Sequence, residues 1–320
     1  MERTTRGGFG HDTTTDEVLA GIDLSGKLAL VTGASGGLGA ETARALASKG
    51  ARVVITARDL AKGEAAAREI RASTGNDDVT VEALELGSLA SIRAFSDRFL
   101  AGHDVLQILV NNAGVMACPF EKTSDGFELQ FGTNHLGHFL MTGLIAPALL
   151  RGAPSRIVSV SSRGHQMSPV VFEDIHFERR EYDKWLSYGQ SKTANILFAV
   201  ELERRFGPRG VQANAIHPGV ILTDLSRHME ASDYEHLRKR APGGKLKMKT
   251  VEAGAATAVY AATAPELEGR GGCYLEDCHV AEVDDAEGAT GGVRSYALDP
   301  HAAARLWGIS EELVGHPFTL

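Results

Sequence analysis

The chain is 320 residues long, 43% hydrophobic and 23% charged, with a formal net charge of −8. That balance suits a globular chain with one sizeable core and excludes a fibre or a disordered chain. The acidity leaves no overall basic field to draw in nucleic acid or an anionic membrane, and three cysteines (Cys118, Cys273, Cys278) are too few for a disulfide framework and fit a reducing compartment.

In chain order, residues 1–25 read as a polar arm in which Thr14-Thr15-Asp16-Glu17 has the form of a capping box, opening a short helix through Ala20. The arm has no apolar run of the secretory kind, so a cytoplasmic location is expected. A strand–helix repeat follows: strand 28–32 (LALVT), a Gly-rich turn and helix 40–48; strand 52–56 (RVVIT) and helix 60–71; strand 79–84 and helix 89–100; strand 105–111 (VLQILVN). The apolar stretch 139–150 is broken by Thr142, Gly143 and Pro147 and is well short of the ~20 residues a membrane span needs, so it reads as a buried helix. Strand 156–160 (RIVSV), a helix from Tyr188 to Arg205 and strand 211–216 (VQANAI) come next, and residues 276–320 form a tail ending in helix 300–313.

Apolar runs with little alternation are what strands look like when helices cover both faces. Their regular alternation with helices predicts right-handed crossovers and an α/β fold with a doubly wound parallel sheet. One domain, 26–275, is expected, with the arm before it and the tail packed on it.

Thr32-Gly33-Ala34-Ser35-Gly36-Gly37-Leu38-Gly39 joins the first strand to the first helix. Glycines there allow a tight turn and close backbone approach, and a helix N-terminus offers free N–H groups to a pyrophosphate. Gly33, Ser35, Gly37, Leu38 and Gly39 are therefore candidate dinucleotide contacts. At the end of the second strand, where a carboxylate would hold an adenosine ribose, stand Ala57 and Arg58. A guanidinium grips a 2′-phosphate, which favours NADP(H) over NAD(H).

Tyr188 and Lys192 lie four residues apart, on one helical face. A nearby cation favours the phenolate and lowers the phenol's pKa, which would let Tyr188 exchange a proton with a substrate oxygen near neutral pH.

TGASGGLG, Asn111-Asn112-Ala113-Gly114, Ser161-Ser162, YGQSK and His217-Pro218-Gly219 occur in the order of the short-chain dehydrogenase/reductase family, which the chain resembles over roughly residues 26–275. FGHDTTTDEVLAGIDLSGK, TNHLGHF, SYGQSKTANILFAVEL and ALDPHAAARLW resemble its branch of retinol dehydrogenases and the WW-domain-containing oxidoreductase in particular. The resemblance implies a single Rossmann-type domain and assigns roles. Tyr188 is the general acid or base, Lys192 holds the nicotinamide ribose and lowers the Tyr188 pKa, and Ser162 bonds the substrate carbonyl. Asn134 supports a water linking Lys192 to solvent. Asn112, Ala113 and Gly114 line the cofactor, Pro218, Gly219, Val220 and Thr223 face the nicotinamide, and Glu85 and Leu86 lie near the adenine, with Glu85 standing where the family commonly has Asp.

Other candidates are weaker. Cys273, Cys278 and His279 miss the usual zinc spacing and have no second ligand pair, so no metal is expected. His135 and His138 read as packing residues, while His165, shortly after Ser162, faces either the substrate or a loop. The basic stretch with Arg227, Arg238, Lys239, Arg240, Lys245, Lys247 and Lys249 reads as a substrate lid over 224–250. Val170, Val171, Phe172, Val220, Ile221 and Met229 point to a bulky apolar substrate.

The expected activity is NADP(H)-dependent interconversion of a carbonyl and an alcohol on a small molecule. Its competitors are reduction of an activated C=C bond, a non-catalytic NADP(H) sensor and a membrane-bound retinoid enzyme. The resemblance also implies a homodimer or homotetramer, for which the apolar 139–150 helix offers a face.

Overall fold

The computed structural model describes residues 8–227, 229–239 and 241–318. Arg240, part of the basic stretch, lies outside them. Eight strands form one sheet: β1 (Leu28–Val31), β2 (Arg52–Ala57), β3 (Val79–Ala83), β4 (Ile108–Asn111), β5 (Ser155–Val160), β6 (Val211–His217), β7 (Tyr274–Glu276) and β8 (His279–Val280). Their order is β3-β2-β1-β4-β5-β6-β7-β8, parallel throughout except for the antiparallel β7–β8 pair. The order reverses beside β1, whose Ala29 pairs with Val53 on one side and Ile108 on the other. A crevice opens there at the carboxyl ends of the strands, where ligands of open α/β sheets bind.

The helices are α1 (Thr15–Val18), α2 (Gly37–Ala47), α3 (Leu60–Thr74), α4 (Leu89–Gly102), α5 (Leu129–Phe131), α6 (Gly137–Arg151), α7 (Lys184–Phe206), α8 (Ala231–Lys239), α9 (Val251–Thr263) and α10 (Pro300–Val314). All four β1 residues are buried, because both faces of the sheet are covered. Leu28 and Leu30 join a core with Phe95, Phe139, Leu197 and Trp307 of α4, α6, α7 and α10. Ala29 and Val31 join the opposite core with Leu46, Ile70 and Val259 of α2, α3 and α9. The period-two alternation of a strand thus divides one sequence run between two cores.

Several elements differ from the sequence expectation. The capping box at Thr14 forms as expected, but α1 stops at Val18. Helix α7 starts at Lys184, a turn before Tyr188, because Asp183 accepts hydrogen bonds from the N–H groups of Trp185 and Leu186. Helix α9 was not anticipated. Its small residues permit close packing, and a Cβ on Gly254 would come within 2.6 Å of Ile221 and 2.8 Å of Leu38. The sheet continues past residue 275 through Glu276 and β8. The apolar α6 face is filled by the chain's own tail: Phe139 meets the rings of Trp307 at 5.0 Å and Phe318 at 4.9 Å.

Candidate active site

The loop after β1 and the loop after β4 are built as one unit. The Thr32 hydroxyl accepts the N–H groups of Asn112 at 2.9 Å and Ala113 at 3.0 Å. The Asn112 amide donates to the Thr32 carbonyl at 2.8 Å. Two glycines make this approach feasible. Gly33 has φ +65°, and a Cβ there would lie 2.7 Å from that of Ala113; a Cβ on Gly39 would lie 2.5 Å from the Asn112 amide. Helix α2 then starts at Gly37 with no side-chain cap, so its first N–H groups are not satisfied by a capping side chain. An uncapped helix N-terminus behind a loop that excludes side chains fits a dinucleotide pyrophosphate. Thr223 packs against Gly37, which brings the loop after β6 to the same place. A groove of about 530 Å³ behind this loop, between α2 and α3, is lined by Ser35, Gly36 and Lys62.

Arg58 follows β2 with its side chain 65% exposed, and its Nη1 lies 3.6 Å from Glu85 Oε2. Glu85 also accepts the Gly87 N–H at 2.9 Å. The loop after β3 thus brings a carboxylate beside Arg58, although the end of β2 carries none.

At the other end of the crevice, Tyr188 and Lys192 lie on α7, Ser162 follows β5, and Asn134 sits in a π-helical turn, Gly132–Leu136, that leads into α6. The wider π turn keeps the Asn134 side chain directed at the end of β4. Its Oδ1 accepts the Val115 N–H at 2.8 Å, while Nδ2 donates to the Val115 carbonyl and to Ser191 Oγ, each at 2.9 Å. A Cβ on Gly114 would lie 3.0 Å from Asn134 Oδ1 and 3.7 Å from Lys192 Nζ. The two side chains therefore flank one glycine.

Ser162 Oγ accepts the Gly164 N–H at 3.0 Å and lies close enough to the Tyr188 phenol to oppose the rise in its pKa. Lys192 Nζ donates to the Val160 carbonyl at 3.0 Å and stands 5.6 Å from the Tyr188 ring centroid. Burial pushes the Tyr188 phenol up to about 12, against the opposing pull of Ser162, and brings the Lys192 ammonium down to about 8. The expected lowering of the phenol by the lysine is therefore reversed in the chain by itself. Both groups are driven toward their neutral forms, because each loses more hydration than it gains from a partner.

Over the Tyr188 ring lies an apolar cluster drawn from four segments: Met116 and Ala117, Met167, Trp185, then Met229 and Leu237. Only some of the expected rim contributes. Val170 and Phe172 belong instead to the core under α10. His165 turns away from the substrate side: its Nδ1 bonds the Ser162 carbonyl at 2.8 Å and its Nε2 accepts the Arg294 N–H at 3.1 Å. His135 and His138 are buried, bonded to Ser310 and Thr32. Cys278 packs beside Thr257, and burial holds its thiol up at about 12.

A family model for the short chain dehydrogenases matches residues 27–233. This chain belongs to the short-chain dehydrogenase/reductase family. It is 44% identical over 294 residues to retinol dehydrogenase 12 of Mus musculus, which covers 92% of this chain and 88% of the relative. It is 43% identical over 296 residues to retinol dehydrogenase 11 of Homo sapiens, with 92% and 88% covered. Among solved structures, an uncharacterised protein from Mycobacterium paratuberculosis superposes with TM-score 0.74 at 36% identity, covering 97% of this chain and all (100%) of the other. A gluconate 5-dehydrogenase from Burkholderia cenocepacia, solved with NADP and tartrate, gives TM-score 0.62 at 27% identity over 79% of this chain and 94% of the other. The family uses nicotinamide cofactors, and the cradle at the glycine loop fits one. Among the described residues, no helix is long and apolar enough to cross a membrane.

Sequence reasoning missed several residues in and around the candidate site. Lys62 lines the groove between α2 and α3 together with Arg44, Glu41 and Glu69; its signal was its place in the first turn of α3, after the Asp59 cap. Gln130 accepts the Ala117 N–H at 2.9 Å and donates to the Lys184 carbonyl at 2.9 Å, fixing the wall of the apolar cluster to the start of α7. Trp185 carried a signal too, since three residues before Tyr188 on a helix is a neighbouring position.

Proposed function

We propose that this dehydrogenase interconverts a carbonyl and an alcohol on a bulky apolar small molecule, with NADP(H) as its cofactor. The observation that carries the reading is Tyr188 beside Ser162 and within an apolar cluster, with Lys192 and Asn134 flanking Gly114 behind it.

Gly33, Ser35, Gly37, Leu38 and Gly39 would hold the pyrophosphate, Glu85 and Leu86 the adenine side, and Arg58 a 2′-phosphate. Asn112, Ala113 and Gly114, with Pro218, Gly219, Val220 and Thr223, would line the nicotinamide half. A nicotinamide bound there supplies hydride to the substrate carbon or accepts it.

The chain's own residues handle the oxygen. Ser162 Oγ accepts the Gly164 N–H, and the hydroxyl proton that it turns toward the Tyr188 phenol in the chain by itself would turn to a bound substrate oxygen and stabilise the charge that develops there. Tyr188, a neutral phenol in its buried setting, donates its proton to the same oxygen in reduction and recovers it in oxidation. Lys192 positions the cofactor ribose and, when its ammonium turns toward the phenolate, stabilises it. Asn134 supports a water through which Lys192 exchanges protons with solvent. Segment 224–250 covers the substrate, and Met116, Met167 and Trp185 receive its apolar body.

The test is NADPH oxidation with a panel of bulky apolar aldehydes and ketones, comparing wild type with Tyr188→Phe. Loss of the phenolic proton should cost ~10²- to 10⁴-fold in turnover while NADPH affinity is unchanged. Retained turnover in the variant, or NADPH binding without any turnover in the wild type, overturns the assignment.

A further inference from the structure

Helix α8 is attached in an unusual way. A helix on a globular surface ordinarily docks through an apolar stripe. Of the nine residues of α8, only Asp233 is buried. Its carboxylate is the anchor: Oδ2 accepts Lys184 Nζ at 2.7 Å and the Glu230 N–H at 2.8 Å, and Oδ1 accepts the Trp185 indole N–H at 3.1 Å. Lys184 and Trp185 are the first two residues of α7, one turn before Tyr188. The indole meets the Tyr188 ring edge-on at 6.4 Å, and His236 of α8 stacks on the indole at 5.3 Å and 10°. The same segment brings Met229 and Leu237 onto the apolar cluster. One buried carboxylate thus ties the cover of the site to the helix that carries Tyr188.

We propose that Asp233 is a positioning residue for substrate: its clasp on Lys184 and Trp185 holds α8 down over the apolar cluster, and its strength sets how firmly a bulky apolar substrate is retained. This rests on the reading of that cluster as the substrate site.

The chemistry of the anchor suits a cover that must open. An apolar stripe resists exposure to water in proportion to its area. A carboxylate, an ammonium and an indole N–H exchange their mutual bonds for bonds to water at small net cost, so the open state is accessible. Losing one partner alone is different, because it leaves a buried group unpaired and weakens the closed state selectively.

The experiment uses the full chain and reads the clasp in two ways. The protein has two tryptophans, and Trp307 is 2% exposed in the core under α10. Trp185→Phe therefore identifies the Trp185 share of the emission. In Asp233→Ala with NADPH bound, that emission should shift to the red and become more sensitive to acrylamide. With a bulky ketone, KM should rise about tenfold, the loss expected for charge-assisted bonds, while kcat and NADPH affinity stay near wild type. Lys184→Met, a milder change that keeps the other two donors, should move both readouts in the same direction by less. Asp233→Glu should restore both toward wild type.

Unchanged quenching and unchanged KM in both Asp233→Ala and Lys184→Met overturn the clasp, as does a loss confined to kcat. The fluorescence readout needs no turnover. An enzyme that binds NADPH but reduces nothing therefore refutes the proposed activity and leaves the clasp open to its own test.

Discussion

At the level of single residues, the proposed choice of NADP(H) rests on Arg58, which is placed against a neighbour. Its guanidinium shares the crevice edge with Glu85 at 3.6 Å, and both side chains are largely open to solvent. An exposed pair of this kind contributes little to stability, so its significance lies in what it offers a ligand. A 2′-phosphate competes with the Glu85 carboxylate for the same guanidinium, whereas a 2′-hydroxyl can donate to that carboxylate. Arg58→Ala should weaken NADPH about tenfold, the scale of a charge-assisted bond to phosphate, and leave NADH nearly unaffected. Glu85→Gln should do the reverse, tightening NADPH relative to NADH by removing a like charge. Titration calorimetry of both cofactors against both variants decides it, and equal losses for NADPH and NADH in Arg58→Ala would sink the 2′-phosphate role. The sequence exposed half of this arrangement. Ala57 and Arg58 could be read at the end of an apolar strand, but the reach of Glu85 back from β3 depends on β2–β3 register, where Ala57 pairs with Ala83.

Helix α7 shows the same division one level up. The proximity of Tyr188 and Lys192, the proposed catalytic pair, could be read because they are local, four residues apart. The true start of α7 was missed, although the signal was present: Asp183 accepts the N–H groups of Trp185 and Leu186, both at 2.8 Å. The hydrophobic pattern weakened there because Lys184 and Leu186 break the apolar face. Asp183→Ala should cost about 1 kcal/mol of stability, the usual value of an N-cap, measured as a fall in the urea midpoint without a change in slope. No loss would mean that the first turn of α7 is held by Asp233 and Gln130 alone. Helix α9 was missed for a different reason. EAGAATAVYAAT is small and apolar all round, so it has no polar face to mark its period, and its helical state follows from burial between α1, α2 and the sheet. The apolar cluster over Tyr188 was illegible for a third reason. Met116, Met167, Trp185 and Met229 come from four separate loops and helix ends, and no spacing in the chain announces that they meet.

Across the whole molecule, three buried histidines join parts that are distant in sequence, and they set a common acid limit. His138 links α6 to the glycine loop through Thr32 at 2.9 Å, and its other nitrogen bonds the Asn134 carbonyl at 3.0 Å. His165 joins the end of β5 to the tail, donating to the Ser162 carbonyl and accepting the Arg294 N–H. His135 bonds Ser310 of α10 at 2.9 Å and leaves Nδ1 buried without a hydrogen-bond partner. Protonation would turn an acceptor into a donor facing Arg294, and would add an unpaired N–H at His135. Burial accordingly lowers His135 to about 3 and both His138 and His165 to about 4. Each folded-state value lies below that of the unfolded chain, so the unfolded state binds more protons between the two. The stabilisation is complete above about pH 6.5 and is lost as pH falls from there toward about 4. Each histidine adds to the slope of stability against pH within that window, and their effects act in the same direction. Urea unfolding at about pH 7, 6 and 5 should show a steep loss, and His165→Gln, which can still donate and accept, should make it shallower. A midpoint that stays level across that range would show that these histidines take up protons without cost, and that the tail and the glycine loop are not tied to the core through their neutral forms.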